Sequence, residues 1–277
     1  MSIAANCTMM FTQRTLSTSS ILILSLLVLL GSMSSTWAEE AEPASHKNSR
    51  VLITGANRGL GLEMAKQFVA KGYQVIGTAR KPEQAVALKQ TGATVMKLDV
   101  TSEADIAALA KALEGEKIDI LINNAGYFGP KLMTENPENL AKLTRQEMEL
   151  CYRVNTLGPL FVTQALLPNL KLAEDAKVVH ISTRASILSK GTSGTAYGYR
   201  VSKTALNMVT RTMSGDQAMK GILVVAIAPG HNKTHMGTER GKLDPQQSMA
   251  QVIDLIENLT RKHHGGLWYY DGSRLPW

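Results

Sequence analysis

The sequence predicts an α/β fold: one doubly wound parallel sheet with helices on both faces. Three observations predict it. From Arg50 onward, short apolar runs alternate with stretches of helical periodicity, the pattern of βαβ units joined by right-handed crossovers. The first strand runs into a glycine-rich turn, TGANRGLG at 54–61, that opens directly onto a helical pattern. The 277 residues, 44% hydrophobic and 19% charged, suit one large α/β domain or two small ones. No internal repeat and no second-domain boundary interrupts the alternation, so one domain over 50–277 is expected.

The elements follow in order. RVLITG at 50–55 is a strand ending in glycine, and Leu60, Met64, Phe68 and Val69 then recur at helical spacing. YQVIGTAR (73–80) and ATVMKLDV (93–100) are the second and third strands. A helix fits 102–114, before the strand KIDILINNAG at 117–126. One long helix is expected from about Arg145 to Leu167, ahead of Pro168. AKVVHIST (176–183) is the fifth strand, 197–219 a helix and GILVVAIAPG (221–230) the sixth strand. Pro245 opens a last helix, as proline at a first helical position does, and GGLWYY supplies a final strand.

Composition excludes several classes. With 22 Gly and 9 Pro the chain is neither disordered, collagen-like nor a multi-span membrane protein. The net charge of +7 comes from 30 Lys and Arg spread along the chain, and the 5% aromatics do not interleave with basic runs. Nucleic acid is therefore not the expected partner. Two cysteines, Cys7 and Cys151, build neither a disulfide framework nor a cysteine-based zinc site.

The first 38 residues differ from the rest. They contain no acid, one base (Arg14) and the run ILILSLLVLL at 21–30, followed by GSMSSTWA and then acidic EEAE. That is the pattern of a secretory signal, with Thr36 and Ala38 as the small positions and cleavage before Glu39. The run is short against the ~20 apolar residues of a spanning helix. An uncleaved membrane anchor through 21–30 and a cytoplasmic chain starting at Met33 are the other two readings. Export or anchoring is the expectation, periplasmic in a Gram-negative cell. Residues 39–49 then read as a polar linker.

The glycine turn carries Gly55, Gly59 and Gly61, spaced GxxxGxG and not GxGxxG. Its physics is that of a dinucleotide site: glycines let backbone N–H groups approach a pyrophosphate, and the helix N-terminus adds partial positive charge. At the end of the second strand, an acid binds ribose hydroxyls whereas an arginine accommodates a 2′-phosphate. Here stand Arg80 and Lys81, with Arg58 inside the turn, so NADP(H) is favoured over NAD(H). The other reading makes Arg80 and Lys81 a solvated loop. YRVSK places Tyr199 and Lys203 four apart on one helix face. A phenol of ordinary pKa ~10 is a poor acid–base group near neutrality, and a nearby cation lowers that value.

With these motifs in company, the sequence resembles the short-chain dehydrogenase/reductases, over essentially all of 50–277. TGANRGLG matches the family's cofactor turn (Gly55, Asn57, Arg58, Gly59, Leu60, Gly61), LDV its adenine-pocket segment with Asp99 and Val100, and NNAG its fourth-strand motif with Asn124, Ala125 and Gly126. VNTLGP carries Asn155, and APG brings Pro229 and Gly230 to the nicotinamide side. The ending, PGHNKTHMG and YYDGSRLPW, resembles the C-factor-like branch, close to the carbonyl reductases. The resemblance implies a single Rossmann-type domain and hydride transfer between nicotinamide and a carbonyl or alcohol. It implies Tyr199 as proton donor, Lys203 on the nicotinamide ribose and depressing the Tyr199 pKa, and Asn155 holding a water in the proton relay. A small-molecule substrate and a homodimer or homotetramer built on the long helices at 145–167 and 197–219 are likewise implied.

One position departs from the family. After the fifth strand the chain has Ser182-Thr183 where Ser-Ser is usual. By position Thr183 takes the catalytic place, with Ser182 and Ser186 as alternatives. Its hydroxyl makes the same bonds while its methyl stiffens the rotamer. If no hydroxyl there reaches the substrate, the second reading stands: a weakly active or non-catalytic dinucleotide-binding signalling or sensor protein. The remaining polar residues read as structural. His231 and His235 lack a third ligand for a metal. His180 is read as a core histidine, His263-His264 as a helix C-terminal turn, Cys151 as a small buried residue, and Met236 and Met249 as substrate-lid candidates. Substrate loops are expected at 127–144, 184–198 and 231–245.

Overall fold

The computed structural model describes residues 48–129, 139–190 and 194–277, all within the second of two compact units, Ala44–Trp277. The expected signal, its alternatives and most of the linker lie outside the described residues, as do 130–138 and 191–193 of two expected substrate loops. Among the described residues no helix is long and apolar enough to cross a membrane.

The strands are β1 (Arg50–Ile53), β2 (Gln74–Ala79), β3 (Thr94–Lys97), β4 (Ile120–Asn123), β5 (Lys177–Ile181), β6 (Leu223–Ala228), β7 (Leu267–Tyr269) and β8 (Arg274–Leu275). They form one sheet in the order 3-2-1-4-5-6-7-8, parallel throughout except for antiparallel β7–β8. The helices are α1 (Gly59–Ala70), α2 (Val86–Lys89), α3 (Glu103–Ala112), α4 (Arg145–Tyr152), α5 (Gly158–Ala165), α6 (Leu167–Leu170), α7 (Tyr197–Gly215) and α8 (Pro245–Glu257).

Side chains alternate across each strand, so every central strand feeds two cores. Val51 and Ile53 pack with Met64 and Phe68 of α1 and Val252 and Ile256 of α8. Leu52, between them in sequence, packs on the opposite face with Ile106 of α3, Val162 of α5 and Met213 of α7. This explains the continuous apolar runs of the sequence: a strand covered by helices on both faces has no solvent side. Met249 is fully buried in the first of these cores and is no lid residue.

Two expectations change. The helix expected over 145–167 is interrupted: α4 gives way to a π-helical turn, Arg153–Leu157, before α5 resumes at Gly158. The wider turn places Asn155 and Thr156 in the interior, where Ser202 of α7 receives them. The pair His263-His264 ends a single 3₁₀ turn, Arg261–His263, and not an α-helix. His263 caps it by accepting from Thr260 N at 3.0 Å, and His264 Nδ1 accepts from Val224 N at 3.1 Å.

His180 is indeed a core histidine, and it carries a prediction. Its Nδ1 lies 2.9 Å from Thr210 Oγ1, whose own proton goes to Leu206 O at 2.9 Å. Nδ1 is therefore the donor, and Nε2 meets no partner among the described residues. Burial, reinforced by the charge of Lys203, pushes its pKa down to about 3. An unfolded chain takes up this proton near the ordinary value of ~6.5, so it binds more protons than the folded form between the two values. Stability is thus lost as pH falls through that window. His180→Leu should shrink the drop in unfolding free energy between roughly pH 7 and pH 4.5. An unchanged drop in denaturant titrations would assign the acid sensitivity elsewhere.

Candidate active site

A cleft of about 1140 Å³ opens at the C-terminal ends of the strands, over the point between β1 and β4 where the strand order reverses. Parallel sheets place ligands there, because adjacent loops diverge and leave a crevice. One end is built for an anion. Gly55 and Gly59 have φ of +64° and +57°, a conformation that side-chain-bearing residues resist. α3, α4 and α8 are capped by Ser102, Thr144 and Asp244, whereas α1 has neither a side-chain cap nor an acid in its first turn. Arg58, Gly59 and Leu60 at this terminus line the cleft, and the first N–H groups of a helix have no partner within it. Gly61 serves packing instead: a Cβ there would stand 2.5 Å from Asn124 Nδ2 and from Gly55 O. Asn124 in turn donates to Thr54 O and Gly55 O, tying the end of β4 to the turn.

Arg80 and Lys81 line the same end, with Asp99 and Val100 opposite. One oxygen of the Asp99 carboxylate is held by the Thr101 hydroxyl at 2.7 Å.

The other end holds Tyr199 and Lys203. Both lie on the buried face of α7, one turn apart, as their spacing requires. Lys203 Nζ donates to Ile181 O at 2.7 Å, and burial brings its pKa down to about 8. Burial likewise raises the Tyr199 phenol to about 12, against a lowering by its hydrogen bond with Thr183 and a further rise from Cys151. Lys203, expected to depress it, is not among the groups that shift it, and the phenol, protonated at neutral pH even at its ordinary ~10, stays so.

Three hydroxyls compete in sequence for one position, and packing separates them. Ser182 Oγ donates to Asn207 Oδ1 at 2.6 Å. Ser186 Oγ donates to Thr183 O at 2.6 Å and accepts from Asn207 Nδ2 at 2.8 Å. Both are clamped by Asn207, four residues beyond Lys203 on the same helical stripe. Thr183 is only half-buried, lines the cleft and is the hydroxyl whose nearness lowers the Tyr199 pKa. Its Oγ1 also accepts from Ala185 N at 3.2 Å, which starts the following turn.

Asn155 and Ser186 lie one layer behind the cleft lining. The Asn155 amide makes three bonds to protein: Oδ1 accepts from Tyr127 N at 2.8 Å, and Nδ2 donates to Tyr127 O and Ser202 Oγ at 2.7 and 3.0 Å. Its side chain therefore fixes the loop after β4, and Oδ1 keeps its second lone pair. The remaining expected residues, Gly55, Asn57, Arg58, Gly59, Leu60, Arg80, Asp99, Val100, Asn124, Ala125, Gly126, Pro229 and Gly230 with Tyr199, Lys203, Ser182 and Thr183, all line the one cleft. Sequence reasoning missed Asn207, Ser202 and Arg200, which donates to Ala185 O at 3.2 Å. Their only signal was helical spacing from Tyr199 and Lys203. Met236 packs with Phe128 and Tyr199 and lines the cleft, as a lid residue would.

Comparison with known proteins agrees. The sequence profile of the short chain dehydrogenase family matches residues 49–244. The chain belongs to that family and is an NAD(P)-dependent oxidoreductase of it. Within the family its likeness runs to carbonyl reductases. The NADPH-bound carbonyl reductase from chicken fatty liver superposes with a TM-score of 0.74 at 31% identity, covering 83% of this chain and 99% of that one. The carbonyl reductase Sniffer of D. melanogaster gives 0.76 at 30% identity, covering 84% and 100%. The C-signal protein of Myxococcus xanthus is 36% identical over 160 residues, 58% of this chain and 93% of that protein. The 1-hydroxy-2-glutathionyl-2-methyl-3-butene dehydrogenase of Rhodococcus sp. (strain AD45) is 33% identical, over 83% and 100%.

Proposed function

We propose that the protein is an NADP(H)-dependent oxidoreductase that interconverts a small-molecule carbonyl and its alcohol, with Tyr199 as the acid–base group. The observation that carries this is the single cleft with an uncapped, arginine-flanked helix terminus at one end and the Tyr199–Thr183 hydroxyl pair at the other. The residues present fit a nicotinamide dinucleotide: left-handed glycines form the cradle, and Arg58 and Arg80 stand free to take a 2′-phosphate. When bound, that cofactor supplies or accepts the hydride.

The chain's own part follows from the geometry. Thr183 Oγ1 and the Tyr199 hydroxyl together bond a carbonyl oxygen, polarising it and fixing its distance from the phenolic proton. Tyr199, protonated at neutral pH, gives that proton to the oxygen as it becomes an alcohol. Lys203, which keeps its charge below about pH 8, is assigned to the ribose hydroxyls and to stabilising the phenolate left behind. Asn155 acts through its hold on Tyr127. The export or anchoring read from residues 1–38 is part of the proposal. So is a homodimer or homotetramer, supported by exposed Phe161 on α5 and exposed Val201 and Met208 on α7. Light scattering of the purified protein measures the latter.

The likeness to C-signal favours the second reading, a dinucleotide-binding signalling protein of low turnover. NADPH oxidation against a panel of quinones, aldehydes and ketones separates the two: turnover supports the enzyme, and tight NADPH binding with no turnover supports the sensor. Thr183 tests the site itself. Thr183→Ser should hold or raise activity, and Thr183→Val should lower turnover by about 10²-fold, as for the loss of an oxyanion-type donor, with little change in NADPH binding. Ser186→Ala should lose far less, since its oxygen bonds only protein groups. An inactive Ser186→Ala beside an unaffected Thr183→Val would reverse the assignment.

A further inference from the structure

The catalytic end of the cleft carries positive charge without a described carboxylate to balance it. Among the described lining residues the only acid is Asp99, on the loop after β3 at the other end. Beside Tyr199 and Thr183 the lining includes Arg184, His231 and His235. His231 is engaged, its Nε2 donating to Gly237 O at 3.0 Å. Arg184 is different. It follows Thr183 directly, so its backbone lies one peptide from the hydroxyl that lines the cleft beside Tyr199.

Its side chain is exposed and stacked, with Cζ 4.9 Å from the centroid of the Tyr269 ring. Tyr269 belongs to β7 and is paired in register with Ala228, the residue before Pro229-Gly230. The stack therefore rests on the sheet, not on a free loop. A guanidinium stacked by one face keeps its five N–H groups available in its own plane. No salt bridge or hydrogen bond among the described residues uses them. Arginine on an aromatic ring occurs on many surfaces for packing alone. Here the ring, on which the Asp271 carboxylate also acts, holds a fork with no ion-pair partner among the described residues, in the lining of the cleft beside Thr183 and Tyr199.

We propose that Arg184 determines substrate specificity, and that the substrates are carbonyl compounds bearing a carboxylate. The carboxylate accepts two parallel N–H bonds from Arg184 while the carbonyl oxygen lies on Thr183 and Tyr199. The basic rim adds attraction to an approaching anion. This inference rests on the oxidoreductase reading of the same cleft and names its substrate class.

The test uses matched aldehydes with saturating NADPH: butanal against succinic semialdehyde, and benzaldehyde against para-carboxybenzaldehyde. In the unmodified protein kcat/KM should favour the acid of each pair by about tenfold or more, carried by KM, as one charge-assisted contact allows. Arg184→Met keeps the stem on Tyr269 and should bring the acid-to-neutral ratio down by about fivefold or more. Arg184→Lys, which keeps the charge but not the fork, should retain part of the preference. Turnover of butanal and benzaldehyde with no preference for the acids, or a preference that survives Arg184→Met, would overturn the substrate class and leave the oxidoreductase reading intact. NADPH binding with no oxidation by any of the four aldehydes or by the quinone and ketone panel would overturn both.

Discussion

Tyr199→Phe is expected to lower the rate of carbonyl reduction by about 10²–10⁴-fold, the usual contribution of a positioned acid–base group. Only a hydroxyl is removed. The ring stays in contact with Phe128 at 4.9 Å between centroids, so the wall of the cleft keeps its shape. NADPH affinity should therefore hold and the loss should fall on the chemical step. Lys203→Met should show a different pattern, losing turnover and NADPH affinity together, because its ammonium is assigned both to the ribose and to the phenolate. Stopped-flow single turnovers with separate fluorescence titration of NADPH distinguish these cases. A Tyr199→Phe protein with near-normal single-turnover rates would remove Tyr199 from the mechanism.

Arg58→Ala with Arg80→Ala is expected to weaken NADPH binding by on the order of 10²-fold or more while the NADH constant barely moves. Each charge-assisted bond to a 2′-phosphate is worth about 1.5–3 kcal/mol, and both side chains are exposed, so solvent screening holds the sum toward the lower end. The selectivity, not the absolute loss, is the informative quantity. Gly55 and Gly59 shape the turn for either cofactor, whereas the arginines are assigned to the group that differs between them. Calorimetric titration of both cofactors into both proteins measures it. Equal losses for NADPH and NADH would show that the arginines support the turn and do not read the phosphate.

Much of this site was legible in the sequence because its residues sit at the ends of strongly apolar strands, and strand ends are easy to place. TGANRGLG after β1, LDV after β3, NNAG after β4 and APG after β6 all fall on the cleft for that reason. Tyr199 and Lys203 were legible as a pair one helical turn apart, and their roles came from the family resemblance of the motifs around them. What escaped was whatever depended on contacts between distant elements. The π turn at Arg153–Leu157 leaves no mark in hydrophobic periodicity, since its reason is the docking of Asn155 and Thr156 on Ser202. The choice among Ser182, Thr183 and Ser186 needed Asn207, which clamps two of them from another helix. Arg200, in the middle of the YRVSK motif, looked incidental until its bond to Ala185 O appeared. β8 is two residues long and pairs antiparallel on β7, too short for alternation to show.

The most direct test of the central claim follows the hydride itself. NADPH deuterated at its transferable position is incubated with the protein and a carbonyl panel that includes the four aldehydes, and the alcohols are read by mass spectrometry. The account predicts one deuterium at the carbinol carbon of the product, formed by the unmodified protein and almost absent with Tyr199→Phe at equal NADPH occupancy. Saturable NADPH binding with no deuterium in any alcohol, or equal label from both proteins, would contradict it.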